Sequence, residues 1–340
     1  MDSLTQAVLG AAVGEAVLGK KVGNKAAAWG AAAGTLPDLD VLINPFLSDV
    51  AQLVYHRSFT HALVFSLVLA PVFGWIIARI HRGGPATRRD WGWLTFVALF
   101  THPLLDCFTT YGTQVFQPFS NYPVSFNSLF IIDPLYTVPL ATGLILALRR
   151  QPGRARRRLF NYVGLGLSCL YLLVTVVNKT IATTAFTEAL REQGLTYERL
   201  ATRPTPLNSL LWVAQADDGD GYWIALYSLL DGDRPIRFKR LEKNIHLIDG
   251  LRNDPDVQRL LRFSRGFFTV QHRDDAVVFN DIRFGRSDGW LADEGSYIFS
   301  FRIQPDPTDS TRAVSIKQQP ISVRFEASDW TLLLARIVGR

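Results

Sequence analysis

Four stretches of this chain are predominantly apolar over the length a helix needs to cross a bilayer. They run through Ala62 to Ile80, Trp91 to Phe108, Ser128 to Leu148 and Leu159 to Val177, and a hydrocarbon core takes about 17–25 residues of helix to span. Inside lipid every backbone polar group must be satisfied within the segment, so helices are the structure these stretches can adopt. Upstream, Leu4 to Gly19 and Lys25 to Leu36 are shorter and rich in Ala and Gly. That composition suits two closely packed crossing helices or a re-entrant hairpin, and we expect two further spans. Met1-Asp2-Ser3 has no basic segment before the apolar run, so the start does not read as a cleaved signal peptide.

Basic residues in short loops stay on the cytoplasmic side. Of the fourteen Lys and Arg in residues 1–177, thirteen fall in or beside three turns: after Gly19, after Arg79 and after Leu148. The loops Pro37 to Thr60 and Thr109 to Asn127 contain only Arg57. Six spans with the amino terminus outside satisfy this asymmetry and send the chain outward after Val177. The net charge of +6 therefore reports topology, and nucleic-acid binding is not expected, because residues 178–340 are charge-balanced. The two cysteines, Cys107 and Cys169, lie in apolar runs and form no C-x-x-C motif.

The second half opens on a polar helix over Lys179 to Gln193. It continues as short alternating segments: Leu210 to Ala216, Tyr222 to Leu229, Ile236 to Arg240, Phe267 to His272, Ala276 to Phe284, Tyr297 to Ile303 and Ile321 to Phe325. Period-two alternation predicts antiparallel strands, and helices are expected over Asp254 to Phe263 and Ser328 to Val338. The fold class is a polytopic α-helical membrane domain of about six helices, residues 1–177, followed by an extracytoplasmic α+β domain, residues 178–340.

Ionisable residues are costly at membrane depth and point to function. Here they gather at the expected outer face: Asp38 and Asp40 in Pro37-Asp38-Leu39-Asp40, His56 and His61 around Arg57-Ser58-Phe59-Thr60, His102 and Asp106 four apart, and Asp133 near the start of a span. Imidazole with carboxylate oxygen suits Zn²⁺, Mn²⁺ or non-haem iron, with Zn²⁺ or Mn²⁺ expected. His102 and Asp106 share a helix face, although Pro103 predicts a helix break at His102. Ser58 or Thr60 is placed to cap the following helix and hold His61 in its first turn. Three histidines and up to four carboxylates allow one or two ions. Metal ligands are expected among His56, His61, His102, Asp106, Asp38 and Asp40, with Asp133 or Asp40 as general base and Arg57 holding an anionic oxygen or pairing with Asp49. Glu15 is expected to pair with a turn lysine such as Lys20 or to snorkel to the interface, Gln6 to donate behind the ligands, and His81 to be a solvated interface residue.

At these residues the sequence resembles the bacterial inner-membrane, metal-dependent hydrolase family, the YdjM-like hydrolases associated with LexA regulation. The likeness is carried by Met1-Asp2-x-x-Thr5, Leu36-Pro37-Asp38-Leu39-Asp40, His56-Arg57-Ser58-Phe59-Thr60-His61, Thr101-His102-Pro103-Leu104-Leu105-Asp106 with Thr109-Thr110-Tyr111-Gly112, and Phe130-Ile131-Ile132-Asp133-Pro134-Leu135-Tyr136. The resemblance implies a membrane-bound hydrolase with a divalent metal. Many relatives carry His after the opening Thr, where this chain has Gln6. A phosphoester or lipid-like substrate at the outer face of the inner membrane is the expected target, with the bilayer itself as partner. A transporter or metal-handling protein, and an anchor for a partner-binding soluble domain, are the competing expectations.

Overall fold

The computed structural model describes residues 1–287, 290–291, 295–309, 311–320 and 327–340. The expected strand at Ile321 to Phe325 lies outside the described residues. Two compact units emerge, the first comprising Met1–Leu42, Tyr55–Val176 and Pro206–Asn208, the second Ile43–Val54, Val177–Thr205 and Ser209–Arg340.

The first unit is helical. Helix α1 (Ser3–Val22) starts where Asp2 accepts a hydrogen bond from the Thr5 amide, and it stops at Gly23, whose φ of 63° closes the turn into α2 (Asn24–Thr35). A Cβ on Gly10 would sit 2.9 Å from the Gly34 Cα, and one on Gly14 2.9 Å from the Gly30 Cα, so the two backbones touch. Lipid tails are as apolar as leucine, so such contact between small residues holds membrane helices together.

Helix α3 (Asp49–Tyr55) belongs largely with the second unit. It is followed in the first unit by α4 (Leu63–Ile80), α5 (Arg88–Asp106), α6 (Pro134–Leu148) and the first part of α7 (Ala155–Glu192). By length and composition α4 and α7 can each cross a membrane, and α6 is apolar over 15 residues. At 12 residues α2 is about 18 Å long, too short to cross unaided. Helix α7 runs unbroken for 38 residues, so the apolar span and the polar helix expected at 179–193 are one element.

Several local expectations are corrected. No side chain caps α4: Ala62 is its N-cap, and His61 lies before it in a 3-10 turn, Phe59–His61. Helix α5 continues through Pro103, where proline forfeits one hydrogen bond without ending the helix. His81 is wedged between tryptophans, accepting from Trp29 Nε1 at 2.8 Å and stacking on Trp91. Glu15 is 4% exposed and forms a two-pronged ion pair with Arg157, whose Nε and Nη2 each donate at 2.6 Å; it does not pair with Lys20.

Among the described residues the second unit carries two four-stranded antiparallel sheets. The first runs in order through β1 (Arg199–Pro204), β2 (Leu211–Asp217), β3 (Gly221–Ser228) and β4 (Lys239–Glu242). The second runs through β5 (Phe268–Arg273), β6 (Ala276–Arg286), β7 (Tyr297–Pro305) and β8 (Ala313–Gln318). Strands β1 and β8 were not expected. Both lie at sheet edges, where one neighbour suffices and charged residues such as Arg199 and Lys317 blur the alternation. Helices α8 (Pro255–Phe263) and α9 (Ala327–Ile337) fall where expected.

The second unit also contains Ile43–Val54 from the loop between Asp40 and His56. On α3, Val50 and Leu53 are buried in one core with Leu260, Val270, Phe279 and Phe301. Asp49 accepts from the Gln318 amide at 2.7 Å, which assigns it a partner other than Arg57. Leu53→Ala should lower the stability of this unit by about 2–5 kcal/mol, the usual range for a buried leucine truncated to alanine. Thermal unfolding followed by circular dichroism checks it, and an unchanged transition would mean that α3 is not part of this core.

Candidate metal centre

The chain brings four side chains together from three segments. Asp38 comes from the 3-10 turn Pro37–Phe46 that follows α2, His61 from the turn before α4, and His102 and Asp106 from successive turns of α5. His61 Nε2 lies 3.1 Å from His102 Nε2, 3.5 Å from Asp38 Oδ1 and 3.5 Å from Asp106 Oδ2. His102 Nε2 lies 3.4 Å from Asp38 Oδ1 and 3.6 Å from Asp106 Oδ2. Asp38, His61 and His102 form a group able to offer one ligand atom each to an ion. His61, His102 and Asp106 are essentially buried.

Proton positions follow from what stands behind each ring. His102 Nδ1 faces the Gly34 carbonyl at 2.5 Å; a carbonyl only accepts, so Nδ1 carries the hydrogen and Nε2 presents a lone pair. His61 Nδ1 lies 3.0 Å from Thr60 Oγ1, whose hydroxyl donates to Asp40 Oδ2 at 3.2 Å. That hydroxyl can then only accept from Nδ1, so His61 Nε2 also presents a lone pair. Burial pushes the His61 pKa down to about 4, which keeps this ring neutral. Asp106 Oδ2 is buried and makes no hydrogen bond.

Asp38 Oδ1, His61 Nε2 and His102 Nε2 thus converge with no hydrogen between them, and Asp106 Oδ2 stands beside the two imidazole nitrogens, an arrangement that repels itself without a cation. Zn²⁺ bonds of about 2.0–2.1 Å set neighbouring ligand atoms about 3.3 Å apart, and the three separations among Asp38 Oδ1, His61 Nε2 and His102 Nε2 scatter around that value. The donor set fits a divalent ion of this kind.

Behind the ligands stands an organised layer. Gln6 Nε2 donates to Asp106 Oδ1 at 2.9 Å and to the His102 carbonyl at 3.2 Å, and the Met1 amine also pairs with Asp106 Oδ1. Asp40 does not point at the four-atom cluster. It accepts from His56 Nδ1 at 2.9 Å, from the Arg57 amide at 3.2 Å and from Thr60. His56, with a quarter of its side chain exposed, is therefore held by Asp40 beside the cluster, its ring centre 5.8 Å from that of His61.

Two expected roles are not what the geometry provides. Arg57 is 2% exposed with a left-handed φ of 58°. Its guanidinium is committed to Thr109 Oγ1 at 2.8 Å, Asp106 Oδ2 at 3.4 Å and the Tyr111 ring at 5.1 Å. It braces Asp106, and it is not extended toward a substrate oxygen. Asp133 caps α6, accepting from the Leu135 amide at 3.0 Å and from the Tyr171 hydroxyl at 2.8 Å. Those contacts occupy both oxygens, so Asp133 is placed as a structural cap and not as a general base. Sequence reasoning missed the Gly34 carbonyl, whose signal was the small-residue spacing of α1 and α2, and Thr60 as the bridge from His61 to Asp40.

Inner membrane protein YbcI of Escherichia coli strain K12 is 42% identical over 80 residues, 24% of this chain and 44% of YbcI. Uncharacterized protein YfhP of Bacillus subtilis strain 168 is 29% identical over 141 residues, 39% of this chain and 42% of YfhP. The matches thus span less than half the length of these relatives. No solved structure matches. The family described as YdjM inner membrane protein matches residues 1–182, more than half of the chain and all of the helices that carry the centre, and the chain belongs to that inner membrane protein family.

Proposed function

We propose that this protein is a metal-dependent hydrolase acting on a phosphoester or lipid-like substrate at the outer face of the inner membrane. The carrying observation is the convergence of Asp38, His61 and His102, with Asp106 beside both imidazoles and the ring hydrogens turned away from the shared point. Zn²⁺ or Mn²⁺ is the ion that donor set suits best. A divalent ion held there supplies a lowered pKa for water and a charge opposite a phosphoryl or carbonyl oxygen.

The chain's own residues do the rest. The Gly34 carbonyl and Thr60 fix both imidazoles as acceptors at Nε2. Gln6 and Arg57 hold the Asp106 carboxylate in place. Asp40 orients His56 through Nδ1, leaving Nε2 to take a proton from water and return it to the leaving group. In this reading the chain crosses six times with its amino terminus outside, the short α2 doing so only packed against α1; the thirteen clustered basic residues support this arrangement, and the second unit is extracytoplasmic. Glu15, neutralised by Arg157, offers no continuing ion path, which favours an enzyme over a transporter.

Metal analysis of detergent-purified protein tests the reading. Wild type should carry close to one divalent ion per chain, and a His61→Ala, His102→Ala double variant should carry none. Equal metal in both would sink the centre. Phosphoester and lipid turnover should stop with chelator and return with the ion; turnover indifferent to chelator would remove the metal from the reaction.

A further inference from the structure

The segments that carry the ligands also carry large apolar side chains turned to the outside. In the turn holding Asp38 and Asp40, Leu39 is half exposed and Leu42 is 69% exposed. After α5 the chain forms a hairpin closed by a bridge between Thr113 and Val124. It displays Phe116, Phe119, Tyr122 and Phe126, all more than half exposed, with Phe119 at 86%. No charged residue occurs from Thr109 to Asn127. Nineteen residues without a charge are unusual for a water-facing loop, and exposed aromatics are what the border of a bilayer attracts.

This rim is fastened to the centre. The Gln114 amide donates to the Arg57 carbonyl at 3.0 Å, and the Leu63 amide to the Val115 carbonyl at 3.0 Å, so both sides of the His56–His61 loop are stitched to the hairpin. The Ser125 hydroxyl donates to the Thr109 carbonyl at 2.7 Å, three residues beyond Asp106. The rim is also continuous with the helices that face lipid: α4 begins two residues after His61, and its Leu67 and Val68 are exposed along the same unit.

We propose that the hairpin and the Asp38 turn are seated in the adjacent membrane leaflet, so that the centre takes its substrate laterally, as a lipid whose acyl chains stay among Leu42, Phe116 and Phe119. This rests on the hydrolytic reading of the centre and narrows its substrate to a membrane lipid with the scissile ester at headgroup depth. A water-soluble phosphoester would reach the same metal ligands without using the rim.

The test places a bimane label at Phe119→Cys in a Cys169→Ser background, in nanodiscs of phosphatidylethanolamine and phosphatidylglycerol. Quenching by lipids bearing a nitroxide high on the acyl chain, with protection from aqueous iodide, is the expected result. Strong iodide quenching with no nitroxide effect overturns the proposal, whether water or a protein partner covers the rim. A Phe116→Asp, Phe119→Asp variant should retain its metal and lose at least tenfold in turnover of bilayer-embedded lipid, while a short-chain soluble ester changes less than twofold. Equal loss on both substrates, or on neither, also overturns it. If wild type turns over neither substrate, the hydrolytic reading fails, and with it the substrate assignment; the quenching result then decides the seating of the rim separately.

Discussion

Asp106→Asn should abolish metal binding and destabilise the protein at once, whereas Asp38→Asn should do only the first. Asp106 Oδ2 faces the centre, while Oδ1 holds the Met1 amine and Gln6, and Arg57 leans on the same carboxylate. An amide at this position offers no negative charge to the ion and strands a guanidinium that is 2% exposed. Removing one partner of a buried ion pair costs about 3–5 kcal/mol. Asp38 meets only His61, His102 and the Ser3 hydroxyl, so its neutralisation leaves no buried cation unpaired. We expect metal affinity to fall in both variants by more than the 10–100-fold usual for a residue that merely orients a ligand, and the melting temperature of metal-free protein to fall in Asp106→Asn alone. Asp40→Asn, which loosens His56 and His61 from behind, should fall within that 10–100-fold range. Isothermal titration with Zn²⁺, beside thermal unfolding of the metal-free variants, reads both quantities. Equal melting temperatures for Asp106→Asn and Asp38→Asn would refute the division of labour.

Which residues meet at the centre was legible in the chain because two independent signals agreed. On the topology expected from the basic turns, the His and Asp residues, unused in that argument, fall on the opposite face. Spacing told less about roles. Asp38 and Asp40 are two apart in a 3-10 turn, and only the turn's geometry sends one to the cluster and the other back to His56 and Thr60. Asp133 and Arg57 were ambiguous for a related reason: a carboxylate before proline caps a helix as readily as it abstracts a proton, and a lone arginine braces a ligand as readily as it binds a substrate. Strand β1, with two arginines and a terminal proline, carries too little alternation to announce itself, and only the pairing with β2 makes it a strand. The insertion of α3 was invisible for a deeper reason. Val50 and Leu53 on a seven-residue helix have no periodicity to read, and their partners lie some two hundred residues away.

Glu15 shows how far a local reading can miss, and it supports the second large effect. On sequence grounds its nearest counter-ions are Lys20 and Lys21, yet α7 brings Arg157 across to it with two hydrogen bonds of 2.6 Å, while Nη1 donates to the Arg150 carbonyl at 2.8 Å. Asn161, one turn further on, donates to the Ala12 carbonyl at 2.8 Å, so α1 and α7 are joined by polar contacts in an otherwise apolar setting. Both charged partners are nearly sealed from solvent, and neither side chain can turn to water when the other is removed. Glu15→Ala and Arg157→Ala should each cost about 3–5 kcal/mol. The paired replacement Glu15→Met with Arg157→Met removes the charges together and should recover most of that loss, since two apolar side chains of similar length repack the gap without a desolvation cost. Thermal unfolding in nanodiscs, run as a double-mutant cycle, gives the coupling directly. Additive losses in the double variant would mean that the pair contributes nothing as a pair, and that α1 is held to α7 by Asn161 and apolar packing alone.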